Sequence, residues 1–548
     1  MSTVSAHVAH ALAPHITDVF GVMGNGNAYL IDALIAEGVQ FTAVRHEAGT
    51  VAAADAYFRT SGRVAAATAT YGAGYTNTIT ALVEAARARV PLVLVVGDQP
   101  TTGPRPWDVD QAMIGAAIGV DTFTVGRHDA TAVTTAAVRQ ALAERTAVIV
   151  AIPYDVAAQE VGDPGEPPAL DLPDRRPALD ADAVASAAAE LASARRPFIL
   201  AGRGAVLTGA GRVLGELAEA VGAVTGTTAT ARSVFPDARH DVGVTGGFGH
   251  EEAMALVRQA DVVLVVGAGL NQFTTRFGDL FGPAARVIQI DERKDATHPS
   301  VTRFVRGDVA EAAQAVLDAL PTRGPSEPGW RESVAELTQR GLHRRDPGDG
   351  MAADGRLDPR SVATRLADIL PEDRVVVSDG GHFIGWANSY WPVAAPHRMQ
   401  MVGTEYQTIG LGLPSAVGAA RACPGSTIVL STGDGGGLMA LADLESVVRE
   451  VRRGVVVVWN DAAYNAEVSL YGRRGLNLAP MLIPDVDFAG LGRALGAESA
   501  VVRTLEDLDS LADWVRAERD GVFVVDCRIS PTVVAPYQEE IIAAAAKR

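Results

Sequence analysis

The sequence predicts an α/β protein of three domains, each with a mainly parallel central sheet flanked by helices. Short, continuous apolar runs rich in Val and Ile alternate with Ala-rich stretches of helical length. That alternation is the pattern of buried parallel strands joined by crossover helices. Two stretches dense in proline or charge interrupt it, and 548 residues are too many for a single core.

The elements follow in order. Within residues 1–160 the runs Phe41–Val44, Val64–Ala67, Leu92–Val96 and Ala147–Ile152 read as strands of an N-terminal domain. Val161–Arg176, rich in Pro, Asp and Glu, reads as an exposed linker. A central domain over residues 180–320 has strands at Pro197–Ala201, Val262–Val266 and Val287–Ile290. A second break, Leu320–Gly329, holds Pro321, Pro325 and Pro328, and polar chain continues to about Gly355. The C-terminal domain, residues 355–535, has strand-like runs at Arg374–Val377, Thr427–Leu430, Val455–Trp459 and Val522–Asp526.

Composition narrows the function. Hydrophobic residues make up 48% and charged residues 20%, enough apolar material for large cores and too much for a disordered chain. The formal charge of −18 opposes a nucleic-acid or anionic-membrane partner. Cys423 and Cys527 offer neither a disulfide framework nor a metal cluster. No basic region followed by an apolar run opens the chain, and no uncharged stretch approaches 18 apolar residues. A soluble cytoplasmic enzyme acting on a small molecule is expected.

The chemistry is densest near the C-terminus. Gly433-Asp434-Gly435 follows one apolar run, and Asn460-Asp461 follows the next, with 27 residues from 434 to 461. That distance accommodates one crossover helix, Leu438–Arg452, between two parallel strands. Two carboxylates at neighbouring strand ends can hold one hard cation, and Mg²⁺ held by so few protein groups completes its octahedron with diphosphate oxygens. Glycines at 433, 435, 436 and 437 would let the backbone approach a phosphate. A lone Gly-Asp-Gly is an ordinary turn; with the helix and the second acid the pattern becomes specific.

With these residues the chain resembles, over nearly its whole length, the thiamine-diphosphate (ThDP) enzymes of the acetolactate synthase, pyruvate decarboxylase and benzoylformate decarboxylase superfamily. The resemblance implies that Mg²⁺ is held by Asp434, Asp461 and the backbone carbonyl of Ala463, with Asp461 standing where the family usually has Asn. It identifies Arg45-His46-Glu47, which follows Phe41–Val44 and opens an Ala-rich helix ending near Arg59. An acid in a first helical turn is favoured by the helix dipole in any protein. In the family this Glu hydrogen-bonds the aminopyrimidine of ThDP, promoting the imino tautomer that takes the proton from thiazolium C2. The cofactor then carries the chemistry as ylid and electron sink.

Further positions follow from the same resemblance. Thr404–Gly418 is similar to the segment beneath the bent cofactor, with Ile409 as the apolar wedge. Gln407 falls where a Gly carbonyl often accepts the aminopyrimidine N–H. Asp379-Gly380-Gly381-His382 is similar to the diphosphate-side loop, where His382 would donate to a phosphate oxygen. Gly74 and Asn77 belong to the Gly-rich loop Thr70–Asn77. The N-terminal domain is then the pyrimidine-binding domain and the C-terminal one the diphosphate domain. Family members bind the cofactor across a subunit interface, so a homodimer or homotetramer is expected, with Glu47 of one chain meeting Asp434 of another.

The substrate side matches neither subfamily cleanly. Asn25, in Phe20–Asn27, stands where pyruvate decarboxylases have an acid, benzoylformate decarboxylases a Ser and acetolactate synthases a Gly. An amide hydrogen-bonds but supplies no proton near neutral pH. Glu467 matches a proton-handling glutamate of pyruvate decarboxylases, whose paired histidines are missing; Arg127-His128 comes too late in the domain. Gln111 is similar to an active-site Gln of acetolactate synthases, though Asp110 and Ala112 replace its neighbours, and Val468–Gly475 lacks their tryptophan. Tyr71 and Tyr75 face the pocket in this reading. Poor proton supply favours decarboxylation of a 2-oxo acid followed by carboligation. Simple decarboxylation and lysis of a 2-hydroxyacyl-CoA are the alternatives.

A reading from another class, a Rossmann oxidoreductase, rests on Gly24-Asn25-Gly26, Gly202-Arg203-Gly204 and Gly267-Ala268-Gly269. None has the third glycine with an acid about 20 residues on, and none explains Glu47 or the Asp434/Asp461 pair. FAD or another nucleotide in the central domain is disfavoured for the same lack. A non-catalytic member is disfavoured because Glu47, Asp434 and Asp461 are all present.

Overall fold

Apart from Phe41–Val44, which falls in a partly exposed edge strand, each apolar run predicted above becomes part of a buried parallel strand, because a strand covered on both faces must be apolar throughout. The computed structural model describes residues 2–172, 176–321, 330–332 and 345–546. A short antiparallel pair, β1 (Ser2–Thr3) with β8 (Glu160–Val161), closes the N-terminal domain, so the predicted linker begins one residue inside a strand. The break beyond Pro321, with Pro325 and Pro328, lies outside the described residues.

Three six-stranded sheets form the domains, all of their strand pairs parallel. The N-terminal sheet contains β2 (Asp18–Gly21), β3 (Gln40–Ala43), β4 (Ala66–Ala69), β5 (Leu92–Asp98), β6 (Thr122–Thr124) and β7 (Ala147–Pro153), in the order β3-β2-β4-β5-β7-β6. The central sheet contains β9 (Pro197–Ala201), β10 (Val224–Thr227), β11 (Asp241–Val244), β12 (Val262–Val266), β13 (Arg286–Asp291) and β14 (Val301–Arg306), in the order β11-β10-β9-β12-β13-β14. The C-terminal sheet contains β15 (Val375–Ser378), β16 (Met399–Met401), β17 (Ile428–Gly433), β18 (Arg453–Asn460), β19 (Glu498–Val502) and β20 (Gly521–Arg528), in the order β16-β15-β17-β18-β20-β19. Among the described residues no helix is long and apolar enough to cross a membrane.

Seven helices position the site: α1 (Glu47–Ser61), α2 (Ala73–Arg87), α3 (Gln111–Ala117), α4 (Gly412–Ala422), α5 (Asp434–Met439), α6 (Ala442–Glu450) and α7 (Asn465–Leu470). The single crossover helix expected over Leu438–Arg452 is in fact the pair α5 and α6, which begins earlier and breaks at Ala440-Leu441. Three consecutive glycines in α5 weaken any tendency to run on as one helix.

The N- and C-terminal domains share one core, in which Val51, Ala54 and Tyr57 of α1 join Leu413, Ala416 and Val417 of α4. The helix crossing is close: a Cβ added at Gly418 would lie 1.9 Å from the Ala53 carbonyl oxygen. Polar contacts fasten its rim. Arg45 N–H donates to Asp443 at 2.7 Å, the Ser415 hydroxyl donates to the Ala52 carbonyl, and Arg421 pairs with Asp18 at 2.8 Å. The central domain keeps cores of its own.

Candidate active site

Strand register creates the acidic pair. Gly433 lies opposite Trp459, so β17 and β18 leave the sheet side by side at Asp434 and at Asn460-Asp461. Asp434 is buried; its Oδ1 accepts the Gly435 N–H at 2.8 Å and its Oδ2 the Ala463 N–H at 3.2 Å. Asp461 is buried as well and accepts from the Asn465 amide at 2.9 Å. Asn460 points elsewhere, donating to Asp526 and to the Val486 carbonyl.

Ala462, between the acid and the carbonyl, has φ +61°, a left-handed conformation that costs a non-glycine residue about 1–2 kcal/mol. It is held by Tyr464 N–H donating to Met481 and Ile483 N–H donating to Ala462, at 2.8 and 2.9 Å. This leaves the Ala463 carbonyl without a donor among the described residues.

Burial pushes the carboxyls of Asp434 and Asp461 up, and for Asp461 the neighbouring Asp434 charge adds to the effect. Two buried acids that resist sharing negative charge, with an unengaged carbonyl beside them, form an all-oxygen donor set suited to a hard divalent cation.

The diphosphate-side loop is organised by Asp379. This buried carboxylate accepts the N–H groups of Gly380 and Gly410 and the Thr432 hydroxyl, tying three segments together. Burial pushes it up to about 6. In His382, Nε2 accepts the Ala535 N–H at 3.0 Å, which leaves the ring proton on Nδ1. Burial lowers the imidazole to about 4, so the ring is neutral. Nδ1 is buried and has no partner among the described residues. An orphaned donor in this loop fits a group bearing acceptor oxygens, as a diphosphate does.

The neighbouring backbone adds two findings. Gly433 and Gly435 answer to packing, since a Cβ there would meet the Phe383 ring at 2.7 Å and the Tyr464 ring at 2.6 Å. At Gly436 the obstacle would be Asp379 Oδ2 at 3.0 Å. These glycines are therefore required by their neighbours whether or not a phosphate approaches. Gln407 has φ +59°, so it keeps the left-handed backbone in which glycine is usual. Ile409 leans over Gly380, with Cγ2 at 3.1 Å from where a Cβ would stand.

On the N-terminal domain, Glu47 opens α1 after His46, whose Nδ1 accepts the Ala48 N–H. Asn77 of α2 donates to Glu47 Oε2 at 3.0 Å, and a Cβ at Gly74 would stand 3.6 Å from Oε1. Glu47, Gly74 and Asn77 are thus brought together.

Asn25 donates through Nδ2 to the Tyr71 hydroxyl at 3.1 Å. Gln111, expected at the substrate, is buried and engaged at both ends: Oε1 accepts the Gly72 N–H at 2.7 Å and Nε2 donates to the Gly97 carbonyl at 2.8 Å. This corrects its expected role, because an amide spent on the backbone acts as a strut between β5 and the Gly-rich loop. Tyr75 is likewise buried, its hydroxyl donating to the Gln111 carbonyl. Glu467 is exposed in the first turn of α7, and its charge reaches Tyr537, whose hydroxyl donates to the carbonyls of Gly381 and His382. Asp379 carries more of the site than the sequence suggested, through its contacts to Gly380, Gly410 and Thr432.

All three domains match models of one enzyme family. Residues 2–118 match the N-terminal TPP binding domain of thiamine pyrophosphate enzymes, 184–320 their central domain and 379–527 their C-terminal TPP binding domain. The chain belongs to the thiamine pyrophosphate enzymes.

This thiamine pyrophosphate enzyme is 29% identical to a sulfoacetaldehyde acetyltransferase of Rhodobacter capsulatus, over 93% of the chain and 90% of the relative. It is also 29% identical to one of Castellaniella defragrans, over 93% and 89%. An acetolactate synthase of Mycobacterium bovis is 28% identical over 96% and 89%. In its central domain the two GxG turns pack on each other: a Cβ at Gly202 would lie 2.4 Å from that of Ala268, and one at Gly204 2.8 Å from Gly267 Cα. Beside them lies a cavity of about 330 Å³ whose lining includes Arg87, Arg145, Arg203 and Arg293.

Proposed function

We propose that this protein is a ThDP- and Mg²⁺-dependent carbon–carbon bond enzyme that decarboxylates a 2-oxo acid and joins the remaining acyl unit to a second carbonyl, as acetolactate synthases do. The observation that carries this is the pair of buried acids at adjacent strand ends, Asp434 and Asp461, with the unengaged Ala463 carbonyl between them and α7. These three groups would hold the cation, the His382 Nδ1 proton would meet a diphosphate oxygen, and Ile409 and the Gln407 carbonyl would support the rings. When bound, ThDP supplies a carbon nucleophile and an electron sink. The protein's own contribution is positional: Asn77 donates to Glu47 Oε2 at 3.0 Å, so the other carboxyl oxygen is presented from a defined direction.

Ligation is favoured over aldehyde release because the carboxyl and histidine donors that would protonate the acyl carbon are sparse. Asn25 supplies none near neutral pH, and Glu467 is exposed. The acetyltransferase and acetolactate synthase relatives support transfer of an acyl unit. Lysis of a 2-hydroxyacyl-CoA and simple decarboxylation remain the alternatives.

The active unit in this reading is a homodimer or homotetramer, with the site between chains. Its support is exposed apolar surface at Met23, Trp107, Tyr406, Met439 and Leu482, on or beside the loops that carry the site.

Calorimetry of ThDP with Mg²⁺ on the wild type and on Asp434→Ala tests the site. Both ligands should lose measurable affinity in the variant, and full affinity would remove the basis for the assignment. Mass spectrometry of products formed from 2-oxo acids with an aldehyde acceptor tests the reaction. Free aldehyde as the sole product at excess acceptor would overturn carboligation.

A further inference from the structure

Tyr71 is partly buried and held by several partners. Its ring fills a notch made by two glycines: a Cβ at Gly26 would meet Tyr71 Cδ1 at 2.7 Å, and one at Gly97 would meet it at 3.1 Å. The Arg105 guanidinium lies over the ring, 4.1 Å from its centroid, and also over Tyr154 at 4.7 Å. Tyr154 meets Tyr71 edge-on at 5.8 Å. Arg105 is itself fixed by Asp108, with Nε and Nη2 at 2.9 and 2.8 Å from its carboxylate oxygens. Gln111 holds the N–H of Gly72, the next residue, and Thr70 Oγ1 accepts the Gly26 N–H at 2.9 Å.

So much fixation points to a function for the hydroxyl. Tyr71 Oη accepts from Asn25 Nδ2, and its own proton has no acceptor among the described residues. A phenol oxygen that accepts from an amide keeps its own O–H free to donate to a third group. The hydroxyl stands at Asn25, and Tyr71 belongs to the same Gly-rich loop, Thr70–Asn77, whose Gly74 and Asn77 lie against Glu47.

We propose that Tyr71 is the proton donor to the carbonyl oxygen of the acyl acceptor, the acid otherwise missing from the substrate side. This rests on the carboligase reading above. As the new carbon–carbon bond forms, the acceptor's π electrons move onto its oxygen. The Tyr71 O–H bond breaks and the product's O–H bond forms. The phenolate is held by Asn25 and Arg105 and recovers a proton from solvent.

Tyr71→Phe keeps the ring in its notch and removes only the hydroxyl. ThDP affinity by calorimetry should stay within about twofold. Ligation kcat should fall about 10²-fold or more, within the range of general acid catalysis, with the acceptor KM changed much less. A near-ultraviolet difference signal on adding the acceptor to holoenzyme should be present in wild type and Tyr154→Phe and lost in Tyr71→Phe.

Asn25→Ala, which removes the donor to Oη, should lower kcat about tenfold with the ring untouched, and it decides the matter if Tyr71→Phe does not fold. Wild-type kcat in Tyr71→Phe, or in Asn25→Ala alone should the first variant misfold, overturns this inference while leaving the carboligase reading intact. A wild type that binds ThDP but ligates no pair of carbonyl compounds overturns both.

Discussion

Replacing Glu47 with Gln separates holding the cofactor from activating it. The side chain keeps its length, and the Gln oxygen can still accept the Asn77 N–H that reaches Glu47 Oε2 at 3.0 Å. What disappears is the charge on that bond. Hydrogen bonds to charged groups contribute about 1.5–3 kcal/mol and neutral ones about 0.5–1.5, so the loss in stability or ThDP affinity should be about 1 kcal/mol, or some fivefold. Gly74 gives the amide nitrogen room, since its missing Cβ would stand 3.6 Å from Oε1. Removing the acid that drives tautomerisation should slow exchange of the thiazolium C2 proton by about 10²–10⁴, a barrier increase of roughly 3–5 kcal/mol. Quenched-flow exchange into deuterium, read by proton NMR, measures the second number, and calorimetry measures the first. Exchange unchanged in the variant, or slowed only as much as binding is weakened, would refute the assignment of Glu47 as activator.

Three further outcomes are expected. Asp379, pushed up to about 6 by burial, binds a proton in the native state where the unfolded chain, near the ordinary value of about 3.9, does not. Its contribution is therefore complete below about pH 4 and lost as pH rises through 6, amounting to about 3 kcal/mol. The wild-type denaturant midpoint should accordingly fall relative to Asp379→Asn between pH 4 and 7, and a pH-independent difference would contradict this. Gly418→Ala would drive a Cβ to 1.9 Å from the Ala53 carbonyl oxygen. It should destabilise by at least about 1–3 kcal/mol in thermal melts, and an unchanged melting temperature would show that the helices are not so close. Asn25→Asp should shift product ratios towards free aldehyde, and an unaltered ratio would argue that proton supply at 25 does not control partition.

The parts of the molecule legible in the sequence are those that local pattern determines. Pro197–Ala201 and Val262–Val266 are strands with the predicted bounds, because a buried strand needs an unbroken apolar run and little else. The ends of β17 and β18 were legible because Asp434 and Asp461 each follow such a run. What stayed hidden depends on partners distant in sequence. Nothing near Gln111 reveals that its amide is taken by Gly72 and Gly97. The tautomer of His382 is decided by Ala535, 153 residues on. The glycines at 433 and 435 read as room for a phosphate, and only the fold supplies Phe383 and Tyr464 as neighbours that forbid a side chain. Gln407 is the converse: its residue type suggested a departure, while its left-handed backbone keeps the turn.

The packing of α1 on α4 sets a schedule for synthesis. Val51 and Ala54 are covered by Leu413, Ala416 and Val417, and Gly418 lies about 365 residues after Ala53. At about 5–20 residues per second on the ribosome, that face of α1 waits roughly 20–70 s for its cover. The N-terminal sheet can form early, since its strands need only one another, yet the helix that begins with Glu47 cannot be finished until most of the chain has been made. A nascent chain of this protein therefore carries an uncovered apolar face for most of its translation. The same face would be left bare on a fragment ending at residue 160, which should need a chaperone or the separately supplied C-terminal domain to stay in solution.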